Sequence, residues 1–133
     1  MSTDEIRRRV REKLREQRVL VEELLREREQ LSGSLFERWA VCGKEGCSCR
    51  EGRKHGPYYV LSTRSGGRGG FAYLPGSQAS EARDLVKRHR AFRAGMRRLK
   101  RVGEQLVTLL RRYQEVLARQ GGRRVGISPH VTS

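Results

Sequence analysis

The sequence predicts an α+β fold, a small three-stranded antiparallel sheet carrying a Cys/His knuckle and flanked by two long α-helices that pack as a coiled coil. Three observations lead there. Apolar residues recur at helical spacing across residues 6–31 and again across 82–117, the mark of amphipathic helices. Between these stretches, short aromatic runs separated by glycine have strand character. Cys42, Cys47, Cys49 and His55 crowd into the loop that joins the first two runs.

Residues 1–32 read as an N-terminal amphipathic helix. Ser2-Thr3-Asp4-Glu5 forms a capping box, with Ser2 as the cap and Glu5 reaching back to it. Ile6, Val10, Leu14, Leu20, Val21, Leu24, Leu25 and Leu31 carry the apolar stripe to Ser32-Gly33, where glycine should end the helix. Such a helix is marginal alone, so its stripe needs a partner.

Residues 33–76 hold the sheet and the Cys/His loop. A first strand runs through Leu35, Phe36, Trp39, Ala40 and Val41, a second over 57–63 and a third over 70–74. The glycine-rich stretch 64–69 makes the hairpin connection. Trp39, Tyr58, Tyr59, Phe71 and Tyr73 are expected mainly as the core of so small a sheet, although aromatic rings there also suit base stacking.

Residues 77–119 form a long basic helix. Its seam reads Ala82, Leu85, His89, Phe92, Met96, Leu99, Gly103, Leu106, Leu110, Tyr113 and Leu117. A second row, Val102, Leu109 and Val116, widens the apolar surface, enough to serve both the first helix and a second subunit, so a homodimer is expected. Residues 120–133 read as a disordered tail.

At 133 residues the chain is one domain by length, and 35% hydrophobic content leaves little for a large core. No apolar run approaches membrane-spanning length, so a membrane partner is excluded. Without the apolar block of a secretory signal, a cytoplasmic location is expected. An odd count of three cysteines in one cluster argues for reduced thiols, metal-bound or free.

The net charge of +15 calls for a polyanionic partner, with a general arginine bias as the bland alternative. Placement favours the partner. Residues 1–31 hold 9 basic and 8 acidic side chains, residues 32–79 hold 7 and 3, and residues 80–119 hold 12 and 4. Arg83, Lys87, Arg90, Arg97 and Arg101 share one helical face and form a stripe suited to phosphates. Arg50, Arg53 and Lys54 at the knuckle, and Arg38, Arg64 and Arg68 on the sheet, complete the candidate nucleic-acid surface.

The spacing C-x(4)-C-x-C-x(5)-H supplies sulfur and nitrogen donors for a structural zinc ion, with Cys42, Cys47, Cys49 and His55 as ligands. Three reduced thiols in a polar turn, with His55 incidental, are the alternative. Should His55 not ligate, water or a second chain would complete the site. A nucleophilic Cys-His pair would need an orienting third group, and none is visible, so no enzyme is expected.

The segment CGKEGCSCREGRKHGPYYVLS resembles an uncharacterised bacterial and archaeal domain-of-unknown-function family that shares C-G-K-x-x-C-x-C and H-G-P-Y-Y-x-L-S blocks. Cys42, Gly43, Lys44, Cys47 and Cys49 match the first block; His55, Gly56, Pro57, Tyr58, Tyr59, Leu61 and Ser62 match the second. The likeness covers roughly residues 33–117 and marks the block as a unit without implying an activity. The third strand, Gly70-Phe71-Ala72-Tyr73, departs from that family's Arg-Thr-rich version. At the level of strand order the chain is also similar to the three-stranded arm-binding domains of phage-type integrases. That likeness implies a sheet reader of DNA with Arg38, Arg64 and Arg68 as reading residues.

The resulting expectation is a non-enzymatic nucleic-acid-binding protein, with DNA favoured over RNA and a zinc knuckle for stability. The alternative is a coiled-coil module that docks onto an acidic protein partner, as a subunit of a larger bacterial or mobile-element complex.

Overall fold

With its backbone extended, Ser2 accepts the Glu5 N–H on its side-chain oxygen at 3.1 Å, so the first helix starts where its cap predicts. Glu5 does not reach back; its carboxylate takes Arg9 at 3.1 Å instead. The computed structural model describes residues 1–65 and 68–127, and it shows helix α1 (Thr3–Leu24), strand β1 (Ser34–Ala40), a short 3-10 turn (Ser48–Glu51), strands β2 (His55–Ser65) and β3 (Arg68–Leu74), and helix α2 (Gly76–Arg124).

Helix α1 ends at Leu24, short of the Ser32-Gly33 stop read from the sequence. Residues 26–30 are all charged or polar, so nothing apolar anchors further turns. The chain continues without regular structure, and the Leu31 N–H donates to the Leu85 carbonyl of α2 at 3.1 Å.

At its other end α2 overruns the expected stop near residue 119. It passes through Gly121-Gly122 to Arg124 and closes with an Ile127 N–H to Gly122 carbonyl bond of 2.7 Å. Gly126, at φ +74°, occupies the left-handed position that this C-terminal motif requires. Of the tail expected to be disordered, residues 120–124 are therefore helical, and residues 128–133 lie outside the described residues.

Two units make up the chain: residues 1–26 with those from 94 onward, and residues 27–93. In the helical unit α1 runs antiparallel to α2, since Leu24 lies against Gly95, Leu20 clusters with Val102 and Leu106, and Val10 and Leu14 share a groove with Leu110 and Tyr113. The buried row of α2 here is Val102, Leu106 and Leu109. It draws Leu106 from the predicted seam, with Leu99 packed beside it, and Val102 and Leu109 from the second row, while Met96, Leu110 and Leu117 of the seam are exposed. One partner helix covers only one stripe, and α1 covers the row centred on Val102 and Leu106.

The second unit holds the sheet, in the order β1-β2-β3 with both pairings antiparallel. Phe36 pairs with Val60 and Val60 with Tyr73; Leu35 pairs with Leu61 and Leu61 with Ala72. On one face Leu35, Leu61 and Leu74 are buried or half-buried while Glu37 and Ala72 are exposed, and the Tyr59 ring on that face lies against Gly76 at the start of α2. Of the stretch 64–69 expected as the hairpin connection, residues 64–65 belong to β2 and 68–69 to β3, and residues 66–67 lie outside the described residues.

Candidate metal centre

Three segments carry the four ligand candidates to one place. Cys42 follows the end of β1, Cys47 and Cys49 bracket the start of the short 3-10 turn, and His55 opens β2. A register shift between Arg38 and Ala40 sets Ala40 opposite His55, which brings the two strand ends together. Gly56, next to His55, has φ +148°, and a Cβ there would lie 2.9 Å from the Arg38 carbonyl and 3.0 Å from the Trp39 ring. No residue with a side chain fits this crossing without displacing the β1 backbone.

The Sγ atoms of Cys42, Cys47 and Cys49 and a ring nitrogen of His55 all lie within 4.8 Å of one another. Cys42 Sγ and Cys49 Sγ are 3.4 Å apart, and Cys47 Sγ is 3.1 Å from His55 Nε2. Tetrahedral zinc, with bonds near 2.3 Å to sulfur and 2.0 Å to nitrogen, would separate its ligands by about 3.5–3.8 Å. The four donors suit such an ion in type and number, and at 3.1–4.8 Å apart they bracket that spacing. No disulfide joins the three thiols.

Backbone geometry supports charge at this point. The Cys42 N–H donates to Cys49 Sγ at 3.3 Å, the kind of outer contact that orients a thiolate ligand. Cys47 is held to a pKa of about 6, first by a hydrogen bond from the Cys49 backbone, then by His55 and by the side chains of Cys42 and Cys49. Burial pushes the Cys49 thiol up. Cys49 is among the most deeply buried side chains described, while His55 is exposed. The cluster can hold a metal ion through residues close in sequence and pinned by the sheet.

The cationic residues fall into three places. Arg50 lies in the 3-10 turn, Arg53 and Lys54 lie between it and β2, and all three are exposed beside the ligands. Arg38 lies on β1, exposed, and its Nη1 donates to the Tyr73 hydroxyl at 3.0 Å. Arg64 lies near the C-terminal end of β2 and Arg68 opens β3. On α2, Arg83, Lys87, Arg90, Arg97 and Arg101 are all exposed, the first three within the sheet unit and the last two within the helical unit. Arg90 reaches the Ser34 hydroxyl at 3.5 Å.

The aromatic residues depart from expectation. Trp39, Tyr58, Phe71 and Tyr73 are exposed rather than core; Tyr59 alone of the set is half-buried. A single helix covers one face of a three-stranded sheet, and the rings fall mostly on the other. Period-two alternation in β1 and β3 already places Phe36 with Arg38 and Phe71 with Tyr73, but alternation does not say which face is covered.

No curated protein and no solved structure matches the chain. A family match runs over residues 4–84, taking in α1, which the sequence blocks left out, and stopping early in α2. The family is described as Domain of unknown function (DUF6788), and with more than half its length matched, the chain belongs to it.

Proposed function

We propose that this chain is a non-enzymatic nucleic-acid-binding protein whose sheet unit is pinned by a structural zinc ion. The observation that carries the reading is where the ion pairs are. Among the described side chains, which exclude those of residues 64–68, the four ion pairs fall between Glu5 and Arg26, and none engages a cation of α2, the knuckle or Arg38. The basic excess beyond α1 is therefore not spent on internal carboxylates, which is what a phosphate-binding surface requires. Zinc fits the donor set best, since Cys₃His is a closed structural site and leaves no position for a substrate. DNA is favoured over RNA by the likeness of strand order to arm-binding domains.

Binding of a fluorescent oligonucleotide, followed by anisotropy from 50 to 200 mM salt (on the order of the range where phosphate contacts are read), should weaken steeply. A flat response would overturn the electrostatic reading. Replacing Arg83, Lys87 and Arg90 by Gln should weaken all sequences alike and lower the slope by about one per lost phosphate contact. Metal analysis after purification without a metal-binding tag should find zinc stoichiometric with the chain; a value near zero would reduce the knuckle to a turn.

A second reading, an interaction module, is favoured by Met96, Leu110 and Leu117, which leave apolar surface on α2 at heptad spacing. A second copy of the chain would cover it as a homodimer, and an acidic protein subunit of a larger complex is the other occupant. Sedimentation equilibrium separates a dimer from a monomer.

A further inference from the structure

One face of the sheet is an open aromatic surface. Strand register puts Phe36, Val60 and Tyr73 side by side, with Arg38 and Tyr58 on one flank and Ser62 and Phe71 on the other. Val60 is buried at the centre, yet the rings around it are open: Phe71 is 74% exposed, Tyr73 61%, Tyr58 44% and Phe36 42%. Phe36 and Phe71 meet edge to face, with centroids 6.5 Å apart and planes at 86°, so one ring braces the other. The Arg38 guanidinium is tied to the Tyr73 hydroxyl and so is held within this surface. A cleft of about 470 Å³, lined by Arg38, Ala40, Val41, Cys42, Tyr58 and Tyr73, continues the surface to the first knuckle cysteine.

Charge identifies the occupant. Glu37 belongs to the opposite face by alternation, and among the described residues of this face no carboxylate occurs. The exposed Arg50, Arg53 and Lys54 stand at the knuckle end of the sheet. Rings with open π-faces among unpaired cations suit a polyanion that carries flat apolar groups. Successive rings along β3 are two residues, about 6.8 Å, apart, which suits unstacked bases presented one at a time. Bases inside a duplex cannot reach such rings.

We infer that this face, with Phe36, Tyr58, Phe71 and Tyr73 as stacking residues and Arg38 as a cationic clamp, binds the unpaired bases of single-stranded nucleic acid. The inference deepens the nucleic-acid reading above and rests on it. The rings supply contact that tolerates any base, and the knuckle cations hold the backbone. The single strand is therefore preferred to the duplex of the same sequence.

The test uses the full zinc-loaded chain with three labelled probes at one salt concentration: oligo-dT, oligo-U and a mixed-sequence duplex. Expected is tighter binding of at least one single strand than of the duplex. Phe71→Ala and Tyr73→Ala should each weaken that binding by about 5- to 150-fold, the range for losing one stacked base. Tyr73→Phe should keep most of the affinity, and duplex binding should barely move in any variant. Because both side chains are largely exposed, unchanged circular dichroism and zinc content are expected and confirm intact folding. The relative affinities for oligo-dT and oligo-U identify DNA or RNA as the source of the strand. Equal binding of strand and duplex, unmoved by the aromatic variants, would overturn stacking and leave the charge reading standing. Loss of dimerisation in Phe71→Ala would overturn it by making the face a contact between copies. Failure to bind any probe would overturn both readings together.

Discussion

Cys47 and Cys49 are separated by one residue, yet their thiols are shifted in opposite directions. The Cys49 backbone and His55 favour the Cys47 thiolate, with a pKa of about 6, whereas burial favours the neutral Cys49 thiol. In metal-free protein, Cys47 should be alkylated by iodoacetamide at a rate that rises as pH passes upward through about 6, with Cys49 lagging; peptide mapping by mass spectrometry reads both. Zinc should suppress the reaction at Cys47. The linkage has a definite sign. A folded-state pKa lowered below the unfolded value stabilises the fold above the unfolded pKa, and this contribution disappears as pH falls through about 6. The raised Cys49 pKa works the other way, favouring the fold below its unfolded pKa and losing that effect as pH rises through the folded value. Gly56 supplies the second residue-level test. Gly56→Ala forces a Cβ against the Arg38 carbonyl and should cost about 1–3 kcal/mol, measured by chemical denaturation with zinc present. An unchanged midpoint would mean that β1 yields easily at its bulge.

At the scale of elements, the helices show what periodicity leaves open. The α2 sequence offers two overlapping apolar rows, and α1 covers residues of both, Leu106 from one and Val102 and Leu109 from the other. Leu20→Ala should destabilise the helical unit by about 2–4 kcal/mol, because Leu20 packs between Val102 and Leu106. Leu110→Ala should cost less, about 1 kcal/mol, since Leu110 is half exposed and only lines the groove it shares with Val10 and Leu14. A large Leu110 effect that depends on protein concentration would show that a second copy buries this row. Ser2→Ala removes the cap bond to Glu5 and should cost about 1 kcal/mol, read from the same unfolding curves. The start of α1 was legible because capping is local. Its end was not, because Leu24 is the last α1 side chain with a partner on α2, and the charged run after it has no local stop signal.

For the whole molecule, the two compact units differ in what holds them. The helical unit has an apolar cluster of Leu20, Val102 and Leu106; the sheet unit buries Val60, Leu61, Ala79, Ala82 and Val86 and adds the Cys/His cluster, which the helical unit lacks. Removing metal should therefore loosen one unit and spare the other. Hydrogen exchange after chelation should show lost protection across residues 34–65 and little change across 97–120, with most helical ellipticity retained. Uniform loss would show that the units unfold as one. None of the helices described is long and apolar enough to cross a membrane.

The sequence alone determined the α+β order of elements, the capped start of α1, the three strands and the identity of the four clustered donors. Each depends on neighbours along the chain: a period of two or 3.6, a cap, or ligands spaced within one loop. The tertiary structure decided the rest. It selected the row of α2 that α1 covers and drew Cys42 to His55 through the register shift in β1. It also turned Phe36, Tyr58, Phe71 and Tyr73 outward. Alternation divides a sheet into two faces, but only packing against α2 determines which face is buried, and that contact joins residues with no local relation in sequence.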